Sequence, residues 1–311
     1  MKYLRRSITN FAFYAKHASY RQAPSNPRIT RMTPSGALTS TKPVTLLRTN
    51  PTKRRLLELC AEFFCLRTND AAALLRNRPA TPSDERSVRR TLAILHRDGF
   101  LYRAPLLDLD HERGGATYVH GLSAKGVHHA SQNGYATPAT KTLDEHSWRT
   151  LDHELEVTRF HMAMHELCAR QGLRYAWRQA DLKHTVHPDA VFNVADPAST
   201  GKAFYYFLEI ERAKLGNYRN GEPQILRKLR KYYEYFGSTD CEKKWGFRYY
   251  RVVVVQRTGA RRDGLLEALR KTGNHRMFWL TTEPEYRADI GGAIFRTPKD
   301  DAPVAFSFLK P

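Results

Sequence analysis

The chain lacks several features that would each name a function class. It has no CxxC pair: Cys60, Cys65, Cys168 and Cys241 stand apart, which argues against a zinc ribbon or a secreted disulfide scaffold. No apolar run approaches the roughly 20 residues needed to span a bilayer, and no signal-peptide core appears. A soluble cytoplasmic protein without a membrane partner is therefore expected. Neither a P-loop nor a GxGxxG turn occurs, which disfavours an ATPase or dinucleotide enzyme, and no GxSxG elbow stands out. Acid is scarce: 31 Asp and Glu face 51 Lys and Arg, for a formal charge of +20. Residues 1–50 hold no acid at all beside nine basic residues. Such a surplus makes a polyanion the default partner, and nucleic acid is the commonest one.

What is present suits two ordinary domains, since 311 residues at 41% apolar content can bury more than one core. Residues 1–50 read as a basic flexible arm able to track phosphates. A solvated tail, an overlong start ahead of Met32 and an organellar leader are its alternatives. Residues 51–134 are expected to form one domain, residues 142–285 a second, and residues 286–311 a C-terminal extension. The expected class is α+β or α/β.

In the first domain Leu56, Leu57, Leu59, Phe63 and Phe64 recur at helical spacing. Thr68-Asn69-Asp70 is a cap signal for a short second helix. Pro82-Ser83-Asp84-Glu85 opens a third, whose inward stripe is Val88, Leu92 and Leu95. Arg86, Arg89, Arg90 and Arg97 lie off that stripe. Two strand-like runs follow, one containing Arg103 and the other Tyr118, on either side of a charged tip at residues 108–115. Three helices and a hairpin match the winged helix-turn-helix plan, with the third helix as duplex-DNA reader and the hairpin as wing. The alternative is a solvated basic face or a winged helix used for protein contact.

The second domain reads as a long helix from about residue 143 to 170, then three strands, a helix, a central Val-rich strand, a helix and a strand. That order describes one sheet with helices on both faces. Its chemistry concentrates in two strands. Asp189 follows Pro188 at the head of one; the other carries Glu209 and Glu211 on one face, because side chains alternate along a strand. A hairpin would set Asp189 beside Glu209. Two carboxylates and the Ile210 carbonyl then offer hard oxygen ligands to Mg²⁺ or Mn²⁺, which relieves their mutual repulsion.

This arrangement resembles the PD-(D/E)xK nuclease superfamily, whose restriction-endonuclease-like fold is a mixed sheet flanked by helices. The resemblance implies Glu154 as the helix acid, with Asp189 and Glu209 as metal ligands. Glu211 stands where lysine is usual; the resemblance implies that Glu211 itself, as in some restriction endonucleases of the superfamily, or a lysine supplied by Lys214, Lys228 or Lys231, orients or deprotonates the water. The full combination resembles the replication-relaxation family over about residues 52–260. It joins a winged helix, His153-Glu154, Pro188-Asp189-Ala190, Phe207 to Arg212, and Lys228-Leu229 with Lys231-Tyr232. Members often carry Asp at the position of Glu211, so an acid there fits.

That resemblance implies a bacterial, nucleoid- or plasmid-associated protein of a plasmid or integrative element. It would act in replication, relaxation or transfer through a Mg²⁺-dependent nuclease or nickase domain, alongside other replication or transfer proteins. A non-catalytic DNA-binding accessory factor on the same scaffold is the alternative, because members without the lysine often only bind. An RNA-binding factor is supported by charge alone. His161 and His165, four residues apart, have zinc-ligand spacing but no HExxH glutamate. Lys228, Arg230 and Lys231 alternate with Tyr232, Tyr233 and Tyr235. With Ile225, Leu229 and Phe236 the tyrosines read as the inward face of a helix; a phosphate-facing patch with stacking surface, as in single-strand binders, is the alternative.

Overall fold

The computed structural model describes residues 50–106, 117–135, 148–179, 186–198, 203–212, 218–219, 222–272 and 276–299. The arm, the tip at 108–115, residues 136–141 between the two expected domains, Lys214 and residues 300–311 of the C-terminal extension lie outside those residues. The class is mixed α+β, with a three-stranded antiparallel sheet and a five-stranded mixed sheet. None of the described helices is long and apolar enough to cross a membrane.

The N-terminal unit runs α1 (Pro51–Phe63), β1 (Cys65–Arg67), α2 (Thr68–Arg76), α3 (Pro82–Arg97), β2 (Leu101–Leu106), β3 (Thr117–Leu122) and α4 (Ala124–Gln132). The second cap differs from the sequence reading. Thr68 begins α2 rather than capping it, because Cys65–Arg67 is drawn into pairing with β3. α3 starts on a capping box: the Thr81 side chain accepts from the Asp84 amide, and the Asp84 carboxylate accepts from the Thr81 amide. Val88, Leu92 and Leu95 of α3 pack on Leu56, Leu59, Cys60 and Phe63 of α1. Arg86, Arg89, Arg90 and Arg97 are left exposed.

The second unit begins with α5 (Trp148–Arg170), then β4 (Arg174–Gln179), β5 (Ala190–Ala195) and β6 (Ala203–Glu211). A short pair, β7 (Tyr218–Arg219) and β8 (Glu222–Pro223), precedes α6 (Gln224–Tyr235) and α7 (Thr239–Trp245). β9 (Arg251–Gln256), α8 (Gly259–Thr272), β10 (Phe278–Thr282) and α9 (Glu283–Asp289) complete it. The sheet order is β10-β9-β6-β5-β4. β4, β5 and β6 are antiparallel neighbours, whereas β6, β9 and β10 run parallel. The sequence also offers Ala293–Phe295 as a strand; it forms isolated bridging at Phe295 and Arg296, with Arg296 opposite Leu280, and no full strand.

Alternation along β6 and β9 divides the core. Phe207, Val252 and Val254 face Leu229, Tyr232, Trp245 and Leu265 from α6, α7 and α8. Tyr206, Leu208, Val253 and Val255 face Phe160, Met164 and Leu167 of α5. α7 and α9 escaped the sequence reading because each is only seven residues long, too short for a clear period. Phe247–Tyr250 is not strand, and β9 starts at Arg251.

α5 also joins the two units. Its Leu151 and Leu155 pack with Phe64, Cys65, Ala104 and Val119. The Thr158 hydroxyl donates to the Phe63 carbonyl at 2.7 Å. Phe64 there has φ 63°, a left-handed conformation that a bulky residue adopts only under tertiary constraint.

Candidate functional site

The β5–β6 hairpin pairs Ala190 with Leu208, so the next step of the register sets Asp189 beside Glu209. The Asp189 amide donates to the Leu208 carbonyl at 2.9 Å, and the Ile210 amide donates to Asp189 Oδ2 at 2.7 Å. Glu209 lies on the face covered by α6, at the carboxyl end of a parallel strand pair. Ligands of open α/β sheets commonly bind at such ends.

α6 supplies two donors to Glu209. The Lys228 ammonium bonds one carboxylate oxygen and the Tyr232 hydroxyl the other. Their four-residue spacing puts both on one face of the helix. α5 supplies a third group: His153 Nε2 lies 3.2 Å from Asp189 Oδ2. Arg212, just past β6, holds the first turns of α5 in place. It donates to the Asp152 carbonyl at 3.0 Å and pairs with the Asp152 carboxylate at 2.9 Å.

The electrostatics follow from depth. Glu209 is only 3% exposed, and burial pushes its carboxyl up to about 8; Lys228 pulls it down and Asp189 pushes it up again. Burial works against the Lys228 ammonium, but Glu209 and Asp189 outweigh it and keep it above the usual lysine value. Burial also opposes ionised Asp189. The His153 hydrogen bond and charge, then Lys228 and the Ile210 amide, bring its carboxyl below the ordinary range. His153 in turn is held above its ordinary value, Asp189 outweighing burial.

The structure therefore brings together Asp189, Glu209 and Lys228 from the residues singled out in the sequence. Glu211, half-buried on the same face, adds negative charge felt by Lys228. Lys231 is exposed on α6. The α5 side chain in contact with Asp189 is His153, whereas Glu154 is buried near Cys65, whose thiol is pushed up by burial and in smaller part by Glu154. Tyr232, read as core, is core and site at once. Gln256, paired in register with Glu211, is buried, and its Nε2 has no hydrogen-bond partner among the described residues. No motif in the sequence marked it; its signal was a polar residue ending a Val-rich strand.

Among the described residues no three His, Cys, Asp or Glu side chains are grouped to hold a metal. His161 stacks on Trp177 at 4.2 Å in a buried position that drives its imidazole down to about 3. His165 reaches instead toward Glu62, at 4.0 Å. Arg103 is exposed on β2, its guanidinium 4.8 Å from the centre of the Tyr118 ring.

A family model for replication-relaxation proteins matches residues 57–248, well over half of the chain. The chain belongs to the replication-relaxation family, which associates it with the replication or relaxation of a plasmid or similar element and so with DNA. No curated protein and no solved structure matches it.

Proposed function

We propose that the protein binds duplex DNA through its N-terminal unit and cleaves or nicks it at the Asp189–Glu209–Lys228 cluster. The observation that carries this reading is the convergence of two carboxylates and an ammonium from three separate elements at the carboxyl end of β6. In this reading the N-terminal unit is a winged helix-turn-helix: α3 is the reader, and β2 and β3 form the wing. Exposed Arg86, Arg89, Arg90, Arg97 and Arg103 contact phosphates or base edges.

Asp189 and Glu209 suit Mg²⁺ or Mn²⁺ in kind, since Mg²⁺ is commonly held by one or two carboxylates with water and substrate phosphate completing its shell. Such an ion supplies Lewis-acid polarisation of the phosphodiester and a more acidic bound water. His153 and the Ile210 amide hold Asp189 in one orientation. Lys228 keeps its proton beside two carboxylates, so it stabilises charge on the phosphoryl oxygens rather than acting as the base. Glu211 is the remaining acid placed to accept a proton from water, and Gln256 offers an unmatched donor beside it.

The test is supercoiled plasmid incubated with the protein in Mg²⁺, Mn²⁺ or EDTA. Nicking or linearisation is expected with metal and is expected to disappear in Asp189→Ala and Glu209→Ala. Cleavage that survives EDTA or both substitutions would sink the assignment.

A second reading, a non-catalytic DNA-binding replication or transfer factor, draws on a specific observation. Both Glu209 oxygens already take protein donors, and the described residues hold no three-ligand group. It predicts salt-sensitive duplex binding indifferent to metal and to Asp189, without cleavage.

A further inference from the structure

The alternation of charge and aromatic residues on α6 resolves into two faces in the structure. Tyr232 and Tyr235 are buried, but Tyr233 is 50% exposed and Phe236, just past the helix, is 37% exposed; both had been read as inward. The connection to β9 adds Tyr249, which at 66% is the most exposed large hydrophobic side chain among the described residues. Phe236 and Tyr249 meet edge to face, with ring centres 5.4 Å apart. Gly237, at φ +76°, turns the chain so that its amide donates to the Arg248 carbonyl and the Tyr249 ring lies against it. The rings are thus held on a braced turn.

This is an uncommon place for three of the four exposed large hydrophobic side chains of the described residues. Burying any of them would have been favourable, so their clustering on one flank points to a ligand that presents flat apolar faces. The surroundings are basic. Residues 224–250 contain seven Lys or Arg against three Asp or Glu, and Arg230, Lys231, Lys243 and Arg248 are exposed, Arg248 being paired with Glu242 at 2.7 Å. Arg230, Tyr233 and Phe236 follow one another at three-residue spacing, so the basic and aromatic groups adjoin.

We propose that this α6 flank is a docking platform for single-stranded DNA. Unpaired bases would stack on Tyr233, Phe236 and Tyr249 while Arg230, Lys231 and Arg248 meet the backbone. Bare rings discriminate by strand state: in a duplex the base faces are covered by neighbouring pairs, whereas an unpaired strand offers them. The platform shares no residue with the Asp189–Glu209–Lys228 cluster, so it does not depend on that cluster being catalytic.

The experiment measures affinity of the full chain in EDTA for a labelled single-stranded oligonucleotide and for the duplex of the same sequence. Tyr233→Ala/Tyr249→Ala is expected to weaken single-strand binding about thirtyfold or more while leaving duplex affinity unchanged. Tyr249→Phe, which keeps the ring, is expected to bind as the parent does. A thermal midpoint within a few degrees of the parent confirms that the exposed substitutions leave the fold intact. Equal loss for both DNAs, no loss for the single strand, or tighter binding to RNA of the same sequence would each overturn the proposal. Because EDTA silences cleavage, failure of the nuclease reading leaves this result standing, and the reverse holds too.

Discussion

Two buried glutamates sit near the carboxyl end of β6, each bonded by a tyrosine hydroxyl, and their electrostatics are opposite. Glu156 of α5 is fully buried and takes Tyr286, Arg287 and Arg159, with Arg212 at 3.6 Å. Burial opposes its charge, but Tyr286 and the guanidiniums outweigh it and hold the carboxyl below its ordinary value. Glu209, on the other face of the sheet, has one ammonium, one hydroxyl and a second carboxylate nearby, and its carboxyl is pushed up to about 8. Three guanidiniums, two of them shared with Glu283, keep Glu156 ionised and make it a joint between α5, α9 and the end of β6. A deficit of cations makes Glu209 a place where further positive charge is welcome. Perturbed groups of the second kind are the ones that cluster at functional sites.

The largest effect should come from breaking the joint. Glu156→Ala removes the buried anion that Arg159, Arg212 and Arg287 share, leaving Glu283 and Asp152 as partners for Arg287 and Arg212, and should cost about 3 kcal/mol of folding stability by denaturant titration. A loss under about 1 kcal/mol would mean that the cluster relaxes into solvent and that the contrast with Glu209 is overdrawn.

Next comes pH. A carboxyl raised in the folded state contributes stability below its unfolded value, and that stability is lost as pH rises through the folded one. The Glu209 contribution should therefore fade between its ordinary value of 4.5 and about 8. His153, also raised, adds to the same loss as pH rises through its folded value. Thermal midpoints should fall from mildly acidic to alkaline pH, and Glu209→Gln should flatten most of that slope. Glu156 runs the other way, its contribution present above the ordinary carboxylate value and lost as pH falls, so Glu156→Gln should be destabilising at neutral pH. A wild-type midpoint flat across that range would refute the assignment for Glu209.

The tyrosines sharpen the comparison at smaller scale. Tyr286→Phe removes a donor to an ionised Glu156 and should cost about 1–2 kcal/mol at neutral pH. Tyr232→Phe should cost less where Glu209 is protonated and more above about pH 8, where its charge must be borne by Lys228 alone. Equal, pH-independent losses would remove the distinction.

The smallest stability effect belongs to exposed charge. Arg86→Ala, Arg89→Ala and Arg90→Ala should each stay within about 0.5 kcal/mol of the parent. If they contact phosphates, each should reduce the salt dependence of duplex binding by about one ion, read from affinity against salt concentration. Unchanged binding would return α3 to the status of a solvated face.

The long elements were readable because each carries many periods of one pattern. Val88, Leu92 and Leu95 mark the one face of α3 that is buried, and the unbroken valines of β9 mark a strand buried on both faces. Asp189 and Glu209 were readable as a pair because alternation and a hairpin leave them one mutual arrangement. Three features were less accessible. The choice between Lys228 and Lys231 depends on which turn of α6 overlies Glu209, and a helix can dock with any turn there. His153 and Glu154 are neighbours in sequence, 100° apart around a helix; only the docking of α5, set by Arg212 and Thr158, decides which meets Asp189. Tyr233 and Phe236 fall within reach of the helical inward stripe, yet the packed sheet accepts only Tyr232 and Tyr235.

By itself the sequence determined the basic surplus, the strand alternation that aligns Glu209 with Glu211, and the helical stripes that build two units. These are local or additive properties, summed residue by residue along the chain. Only the tertiary structure decided which cation answers each buried carboxylate, which aromatic rings stay outside, and that Glu156 is held ionised while Glu209 is pushed toward its neutral form. Those outcomes depend on distances between elements far apart in the chain, and charge interactions change steeply with distance and burial.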